Sequence, residues 1–291
     1  MKPLKIVVLA KQVPDTRNVG PDAMKPDGTV NRAILPTIFN PDDLHALEFA
    51  LQIKDKIEGT QVIVLTMGPK RAADIVREGY YRGADYGLMV SDRRFGGADT
   101  LATSYTLAMT IKKIGDVDMV LAGVQAIDGD TAQTGPQTAE KINFPQVTYV
   151  EEIIGLGNNE ITVKRRLDKG IEIVKAPIPV LMTVNGTFDK CRSRNAKKLL
   201  KYKYARTNTE LAREEDYIKE MVEQRPYLHI PEWNVEDIEA ELSKIGLAGS
   251  PTKVNKVESI VMKASEAKVL SDSQEDIDLM VGELISSHVI G

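Results

Sequence analysis

Apolar positions along this chain alternate between short continuous runs and longer, spaced patterns, most clearly from Lys5 to Ile142. Lys5 to Ala10 (KIVVLA), Gln61 to Met67 (QVIVLTM), Tyr86 to Ser91 (YGLMVS) and Asp118 to Ala122 (DMVLA) are runs of the kind that strands buried on both faces show. Helical patterns separate them. NPDDLHALEFALQIKDKI has Asn40 as a cap candidate, Pro41 at the first helical position and acidic residues in the first turn; Leu44, Leu47, Leu51 and Ile57, with Ala50 between, form its core stripe. Gly68-Pro69 opens a second helix running to about Tyr80, and a third carries Leu101, Leu107, Met109 and Ile111. This alternation predicts an α/β fold, an open, mostly parallel sheet with helices on both faces.

Elsewhere the pattern changes. KQVPD ends the first strand at Pro14 and Asp15, and Thr16 to Asn40, rich in Pro, Asp, Gly and Asn, reads as an irregular excursion with a small hairpin around Asp27 and Gly28. Gly155-Leu156-Gly157, the only G-x-G, lies between two β-rich runs and reads as a hairpin turn, not a dinucleotide fingerprint. Two extended segments separated by Pro177 and Pro179 follow, and the compact domain is expected to end near Val184 or Asn185. Beyond Gly186 comes a basic stretch with Lys190, Arg192, Arg194, Lys197, Lys198, Lys201 and Lys203, then the acidic helical run TELAREEDYIKEMVEQ. This part has too few periodic apolar residues for a core of its own, and reads as an arm that packs on another surface, such as a partner subunit.

Two loops concentrate the candidate chemistry. After the strand ending at Gly123 come Gln125, Asp128, Gly129, Asp130, Thr131, Gln133 and Thr134, with Pro136 tolerable only in the first turn of the helix that follows and Asp130 or Thr131 able to cap it. Beyond the carboxyl end of a strand, against helix N-terminal amides, a phosphate is the natural guest. Two carboxylates there repel a phosphate unless they point elsewhere, so a capped Asp-Gly turn and a ligand loop explain the segment equally well. The second loop, Gly96-Gly97 with Asp99 and Thr100 before a helix, resembles an anion nest without the phosphate-loop lysine. Asp99 or Thr100 as a plain helix cap is the alternative, but two such loops at consecutive strand ends can converge on one extended ligand.

Composition narrows the function classes. The chain has 291 residues and a net charge of -4, which gives no global attraction to nucleic acid or anionic lipid. Its start has no signal-peptide pattern, and no run approaches the ~20 apolar residues of a membrane span. A cytoplasmic protein, at a membrane only through partner subunits, is expected. The single cysteine, Cys191, excludes an internal disulfide and cannot hold an iron–sulfur cluster alone; His45, His229 and His288 have no metal-ligand spacing. No Ser-His-Asp grouping suggests covalent catalysis, so no catalytic or metal-binding residue is assigned.

Several strings, in order and with sensible gaps, carry a resemblance: VLAKQVPD, NPDDLHALEFAL, TMGP, FGGADTLATS and above all GVQAIDGDTAQTGP, with GLAGSPTKV later. Together they resemble the β subunit of electron-transfer flavoproteins over most of Met1 to Val184. The resemblance implies an adenine-nucleotide- or FAD-binding domain over residues 1–185, a partner-contacting arm with helices over residues 186–291, and an α subunit as heterodimer partner. It carries a nucleotide site onto Leu9, Asn40 to Asp43, Met67, and the run Gly123, Val124, Gln125, Ala126, Ile127, Asp128, Gly129, Asp130, Thr131, Ala132, Gln133 and Thr134.

The family has two kinds of member. In the simple kind the site holds structural AMP, and an FAD on the α subunit shuttles electrons from dehydrogenases. In the bifurcating kind it holds a second FAD that takes hydride from NADH and sends one electron to ferredoxin or flavodoxin and the other to the α-subunit FAD, then to quinone or an acyl-CoA dehydrogenase. SDRRFGGADTLATS, AIDGDTAQTGP and GLAGSPTKV look like the bifurcating kind, including nitrogen-fixation-type complexes with further flavin and iron–sulfur subunits. On that reading Gly96 and Gly97 allow close approach of a flavin or its diphosphate, and Asp99, Thr100 and Thr103 hydrogen-bond the ligand. The chain departs from the family at NGTFDKCRSRNAKKLLKYKYA, where relatives carry a partner-recognition loop. Its basic run either binds an acidic partner or forms exposed helix faces.

Overall fold

The computed structural model describes residues 1–15, 35–252 and 268–290. The hairpin expected around Asp27 and Gly28, and Lys253 and Val254 of the last motif, lie outside the described residues. In chain order the first part comprises β1 (Lys5–Leu9), β2 (Gln12–Pro14), β3 (Thr37–Phe39), α1 (Pro41–Lys56), β4 (Gln61–Met67), α2 (Ala73–Arg82), β5 (Tyr86–Val90), α3 (Thr100–Ile114), β6 (Met119–Gly123), α4 (Thr134–Ile142), β7 (Gln146–Leu156), β8 (Glu160–Leu167), β9 (Gly170–Pro177) and β10 (Val180–Val184). Then follow α5 (Ala196–Tyr202), β11 (Arg206–Thr207), α6 (Asn208–Leu211), α7 (Asp216–Gln224), β12 (His229–Ile230), β13 (Glu232–Trp233) and α8 (Gln274–Ser286).

One sheet runs in the order β13-β5-β4-β1-β6-β10-β7-β8-β9. It is parallel from β13 to β7, and β7, β8 and β9 add an antiparallel meander. Alternate residues of the apolar runs feed two cores, so an unbroken run is what a strand covered on both sides needs. Ile6, Val8, Val62, Val64, Met119 and Leu121 pack on one face with Leu47, Ala50 and Leu51 of α1 and Ile75, Val76 and Tyr80 of α2. Val7, Leu9, Leu65, Leu88, Val120 and Ala122 pack on the other with Leu107 and Ile111 of α3 and Ala139 and Ile142 of α4. The chain winds outward from β1 to β4 and β5, then jumps back to place β6 on the other side of β1. This reversal opens a crevice between the carboxyl ends of β1 and β6, where open α/β sheets bind ligands.

Three local expectations are corrected. Gln12–Pro14 does not simply end the first strand; it pairs antiparallel with Thr37–Phe39, and Pro14 is tolerated there because each strand of this two-stranded sheet is an edge. Asn40 stands at the N-cap of α1, with Pro41 next, as expected, but its side chain makes no cap hydrogen bond. Neither Asp130 nor Thr131 caps α4: the N-cap is Gln133, also without a side-chain bond, and Pro136 falls in the first turn as expected.

Residues 186–250 fold back onto the same layer. Phe188, Tyr202, Ala205, Val222, Leu228 and Ile230 join the α1–α2 core, while Val235, Ile238 and Ile245 join the α3–α4 core. β13 extends the sheet, Glu232 and Trp233 pairing with Met89 and Val90. The basic stretch is partly consumed inside the chain. Arg192 binds Glu48 and Asp55 at 2.8 Å, Arg194 pairs with Glu78, and Lys201 lies over the Tyr202 and Tyr227 rings. Cys191 is half-buried, and burial pushes its thiol up to about 11. Helix α8 buries none of its residues and leaves Ile277, Leu279, Met280, Val281 and Ile285 exposed.

Candidate functional site

A cleft of about 1480 Å³ opens over the carboxyl ends of β1, β4, β5 and β6, larger than the ~300–1,000 Å³ of a drug-sized pocket. Leu9, Leu65, Met67, Phe95, Leu107 and Ala122 supply its apolar lining; both glycine-containing loops form walls. Of the residues singled out in the sequence, Leu9, Asp43, Met67, Gly96, Gly97, Asp99, Thr100, Thr103, Gly123 to Ala126 and Gly129 to Thr134 line it. Asn40, Ile127 and Asp128 do not line it.

Asn40 is buried and works behind the wall. Its amide nitrogen donates to the Gln125 carbonyl at 2.8 Å, and its oxygen accepts from the Ile127 amide at 3.2 Å, fixing the start of the Gly123–Thr134 loop. Asp43 performs the matching task in the crevice, its two oxygens accepting from the Lys11 amide at 2.8 Å and the Gly123 amide at 3.0 Å. Thus the N-terminus of α1 ties the ends of β1 and β6 together. Burial drives the Asp43 carboxyl up to about 7, against hydrogen bonds from Lys11, Asn40 and Gly123; the Asp42 charge adds to the rise. Asp42 is itself raised by burial, an effect opposed by the Gln125 amide and His45 and reinforced by Asp130.

The objection to a phosphate beside Asp128 and Asp130 finds a structural answer. Asp128 is turned to Lys11, 2.7 Å away, and Asp130 accepts from the Gln125 amide group at 3.1 Å. Asp130 and Ala132 both hold positive φ, at 50° and 51°, and this uncommon backbone shapes the loop before α4. The two helix N-termini at the cleft differ. Asp99 caps α3 by accepting from the Ala102 amide, whereas α4 has no side-chain cap and leaves its first amides for a guest. Thr100 Oγ1 donates to Gln133 Oε1 at 3.0 Å, linking the two loops. Lys70 and Arg93 add positive charge to the lining, while Lys11 is paired with Asp128. Arg94 is committed to Asp92 and Glu236, and its hydrogen bonds hold the Asp92 carboxyl at about 2.

Residues 208–252 complete the cleft, and of these the sequence singled out only the GLAGSPTKV string, without placing it here. Asn208, Thr209, Glu232, Asn234, Asp237 and Thr252 all line it. Thr209 donates through its amide and hydroxyl to Glu232 at 3.0 and 2.9 Å, and Thr252 binds Asp99. The arrangement suits a long ligand with an anionic middle or end: an apolar lining, one uncapped helix N-terminus, flanking cations and hydroxyls along the walls.

The sequence profile of the electron transfer flavoprotein domain matches residues 27–205. The caffeyl-CoA reductase-Etf complex subunit CarD of Acetobacterium woodii is 41% identical over 99% of this chain and 100% of its own length. The electron transfer flavoprotein subunit beta of Clostridium acetobutylicum is 38% identical, again over 99% of this chain and 100% of that protein. Protein FixA of Sinorhizobium fredii is 36% identical over 98% of this chain and 93% of its own. With the cleft in the crevice where the motifs placed it, these likenesses show that the chain belongs to the electron transfer flavoprotein family, as a β-type subunit.

Proposed function

We propose that this chain is the β-type subunit of an electron-bifurcating flavoprotein and that its cleft holds FAD. The carrying observation is that the Gly96–Thr103 loop and the Gly123–Thr134 loop wall one continuous cleft. An AMP would engage the second loop and leave the first without a ligand role. When bound there, FAD would supply acceptance of hydride from NADH and release of single electrons to ferredoxin or flavodoxin and to an α-subunit FAD.

The residues fit such a group. Thr134 and Gly135, the first residues of uncapped α4, suit a diphosphate, and Lys70 and Arg93 offset its charge. Gly97, at φ 73°, carries the first loop past the Leu247 side chain, where a Cβ would have no room, and Phe95, Leu65 and Met67 give a planar ring system an apolar setting. No side chain is required as acid or base. Asn40 and Asp43 fix the two strand ends from behind, and Asp128 is turned aside to Lys11.

Partners follow from the relatives' names, which describe subunits of an Etf complex and of electron-transfer assemblies. The proposed partner is an α-type subunit, with the exposed apolar side of α8 as one contact with it; the nucleotide-binding unit expected over residues 1–185 is extended by the later segment, which joins both cores and contributes Asn208 to Thr252 to the cleft. Further flavin and iron–sulfur subunits, leading to quinone or an acyl-CoA dehydrogenase, complete the proposed path. No helix among the described residues is long and apolar enough to cross a membrane.

The test is the flavin and AMP content of the co-purified heterodimer, followed by anaerobic NADH titration in the visible spectrum. Two FAD per heterodimer, reduced by NADH, is the expected result. One FAD with one AMP and no response to NADH would make the chain a subunit of a simple electron shuttle.

A further inference from the structure

We propose that Glu232 and Asn208 read the edge of a purine base at the β13 end of the cleft and make that end selective for adenine; this rests on the reading of the cleft as a nucleotide site. Along the sheet order the cleft has two unlike ends. At β6 stand the free amides of α4, the place for phosphate. At β13 Glu232 turns a carboxylate to the lining, a group that repels phosphate and accepts hydrogen bonds. Between the two, Leu65 and Met67 of β4 give a flat ring an apolar bed. A nucleotide laid along the cleft therefore has its phosphates at the β6 end and its base at the β13 end.

Two side chains there form a fixed pattern. Glu232 is placed by strand pairing, beside Met89 of β5, and aimed by Thr209, whose amide donates to one carboxylate oxygen at 3.0 Å and whose hydroxyl donates to the other at 2.9 Å. These bonds leave lone pairs on both oxygens. Asn208, next to Thr209 in the chain and also in the lining, accepts at its side-chain oxygen from His229 Nε2, 2.7 Å away, so its amide nitrogen is the part left for a guest. The wall thus sets an acceptor beside a donor. Adenine carries the complement, an amine that donates next to a ring nitrogen that accepts, whereas hypoxanthine and guanine carry a carbonyl next to an N–H. Such a base would set its carbonyl oxygen against the Glu232 carboxylate, and a site built for one hydrogen-bonding pattern rejects the guest that leaves its polar groups unpaired. The isoalloxazine edge, an N–H beside a carbonyl, is the competing guest. It belongs elsewhere, because a ring that takes hydride must be reached by its donor: Gly96 and Gly97 of the first loop are exposed, while Thr209 and Glu232 are half-buried.

The test is calorimetric titration of the heterodimer, emptied of its cleft nucleotide and with the α-subunit flavin in place, with ADP and with IDP, which differ only at that edge of the base. The wild type should bind ADP tighter by about tenfold or more. Glu232→Gln keeps the shape of the side chain but not its charge or its second acceptor oxygen, and should cut the preference to about threefold or less through a loss of ADP affinity. IDP affinity should not fall, which shows that the cleft of the variant is intact. No preference for ADP in the wild type, or an equal loss of both nucleotides in Glu232→Gln, would overturn the inference and leave the nucleotide reading standing. So would a variant that loosens FAD while keeping the preference for ADP, since the edge read would then be the flavin's. A cleft that takes up neither ADP nor FAD would overturn the nucleotide reading and this inference with it.

Discussion

Asp99 and Thr252 are joined at the lip of the cleft: one Asp99 oxygen accepts from both the Thr252 amide, at 3.1 Å, and the Thr252 hydroxyl, at 2.8 Å. The other accepts from the Ala102 amide at 3.0 Å. Burial opposes ionisation of Asp99, but these bonds outweigh it and lower its pKa. Asp99→Ala should remove a helix cap, costing about 0.5–2 kcal/mol of stability in urea unfolding, and should lower flavin occupancy of this subunit while leaving an α-subunit flavin bound. Thr252→Val separates two causes. If Asp99 acts by fastening the lip, Thr252→Val reproduces the flavin loss; unchanged occupancy in Thr252→Val beside a loss in Asp99→Ala would give Asp99 a direct ligand contact.

Asp43 gives a pH signature. Its folded-state pKa of about 7 lies above the ordinary carboxylate value of 3.8, so between those limits the folded chain holds the extra proton. Stability from this group is therefore full at acid pH and falls as pH rises from about 4 to 7, by on the order of 4 kcal/mol. Asp43→Asn should flatten that part of the profile measured by denaturant titration. An equally steep fall in the variant would mean that other groups cause it.

Gly123→Ala should disturb the crevice itself. A Cβ at this position would lie 2.5 Å from the Asp42 Cβ and 2.7 Å from the Asp43 nitrogen, so α1 must shift away from the end of β6. Since Asp43 bonds the Gly123 amide, the shift also loosens the tie to β1. Overpacking of this kind costs about 1–3 kcal/mol. Both the thermal midpoint and nucleotide affinity should fall, whereas Gly129→Ala, whose added Cβ meets nothing within 4 Å, should leave the midpoint nearly unchanged.

The central sheet was legible because strands covered on both faces require continuous apolar runs, as KIVVLA and QVIVLTM show. Both cleft loops were legible because each follows its strand directly in the chain. Glu232 and Asn234 were not, since they reach the cleft only through non-local pairing, and Thr252 stood out only as part of GLAGSPTKV, without a place in the cleft. β13 has two residues, too few for a periodic signal, and it finds β5 across 143 positions, Glu232 beside Met89. The capping residues misled for a related reason. Asn40 is the right residue type to cap α1, but the chain spends its amide on Gln125 and Ile127, partners that become neighbours only when β6 folds beside β1.

Arg192 shows the same limit for charge runs, and its substitution distinguishes the two readings of the basic stretch. The sequence displays the cation but not the Glu48 carboxylate, 144 residues away and almost wholly buried on α1. Arg192 meets it through the backbone amide at 2.9 Å and the guanidinium at 2.8 Å, and also binds Asp55. Arg192→Ala removes the guanidinium and leaves Glu48 buried with only the amide, which should cost about 1–3 kcal/mol; the half-exposed arginine keeps this below the penalty for breaking a fully buried pair. Glu48→Gln should cost less, because a neutral amide needs no counter-charge, and in the double variant the two losses should not add. Lys190→Ala, on the same stretch but exposed, should stay within about 0.5 kcal/mol of the wild type. If Arg192→Ala instead leaves urea unfolding unchanged and weakens only association with a partner, the stretch serves recognition and the contact with Glu48 contributes little to the fold.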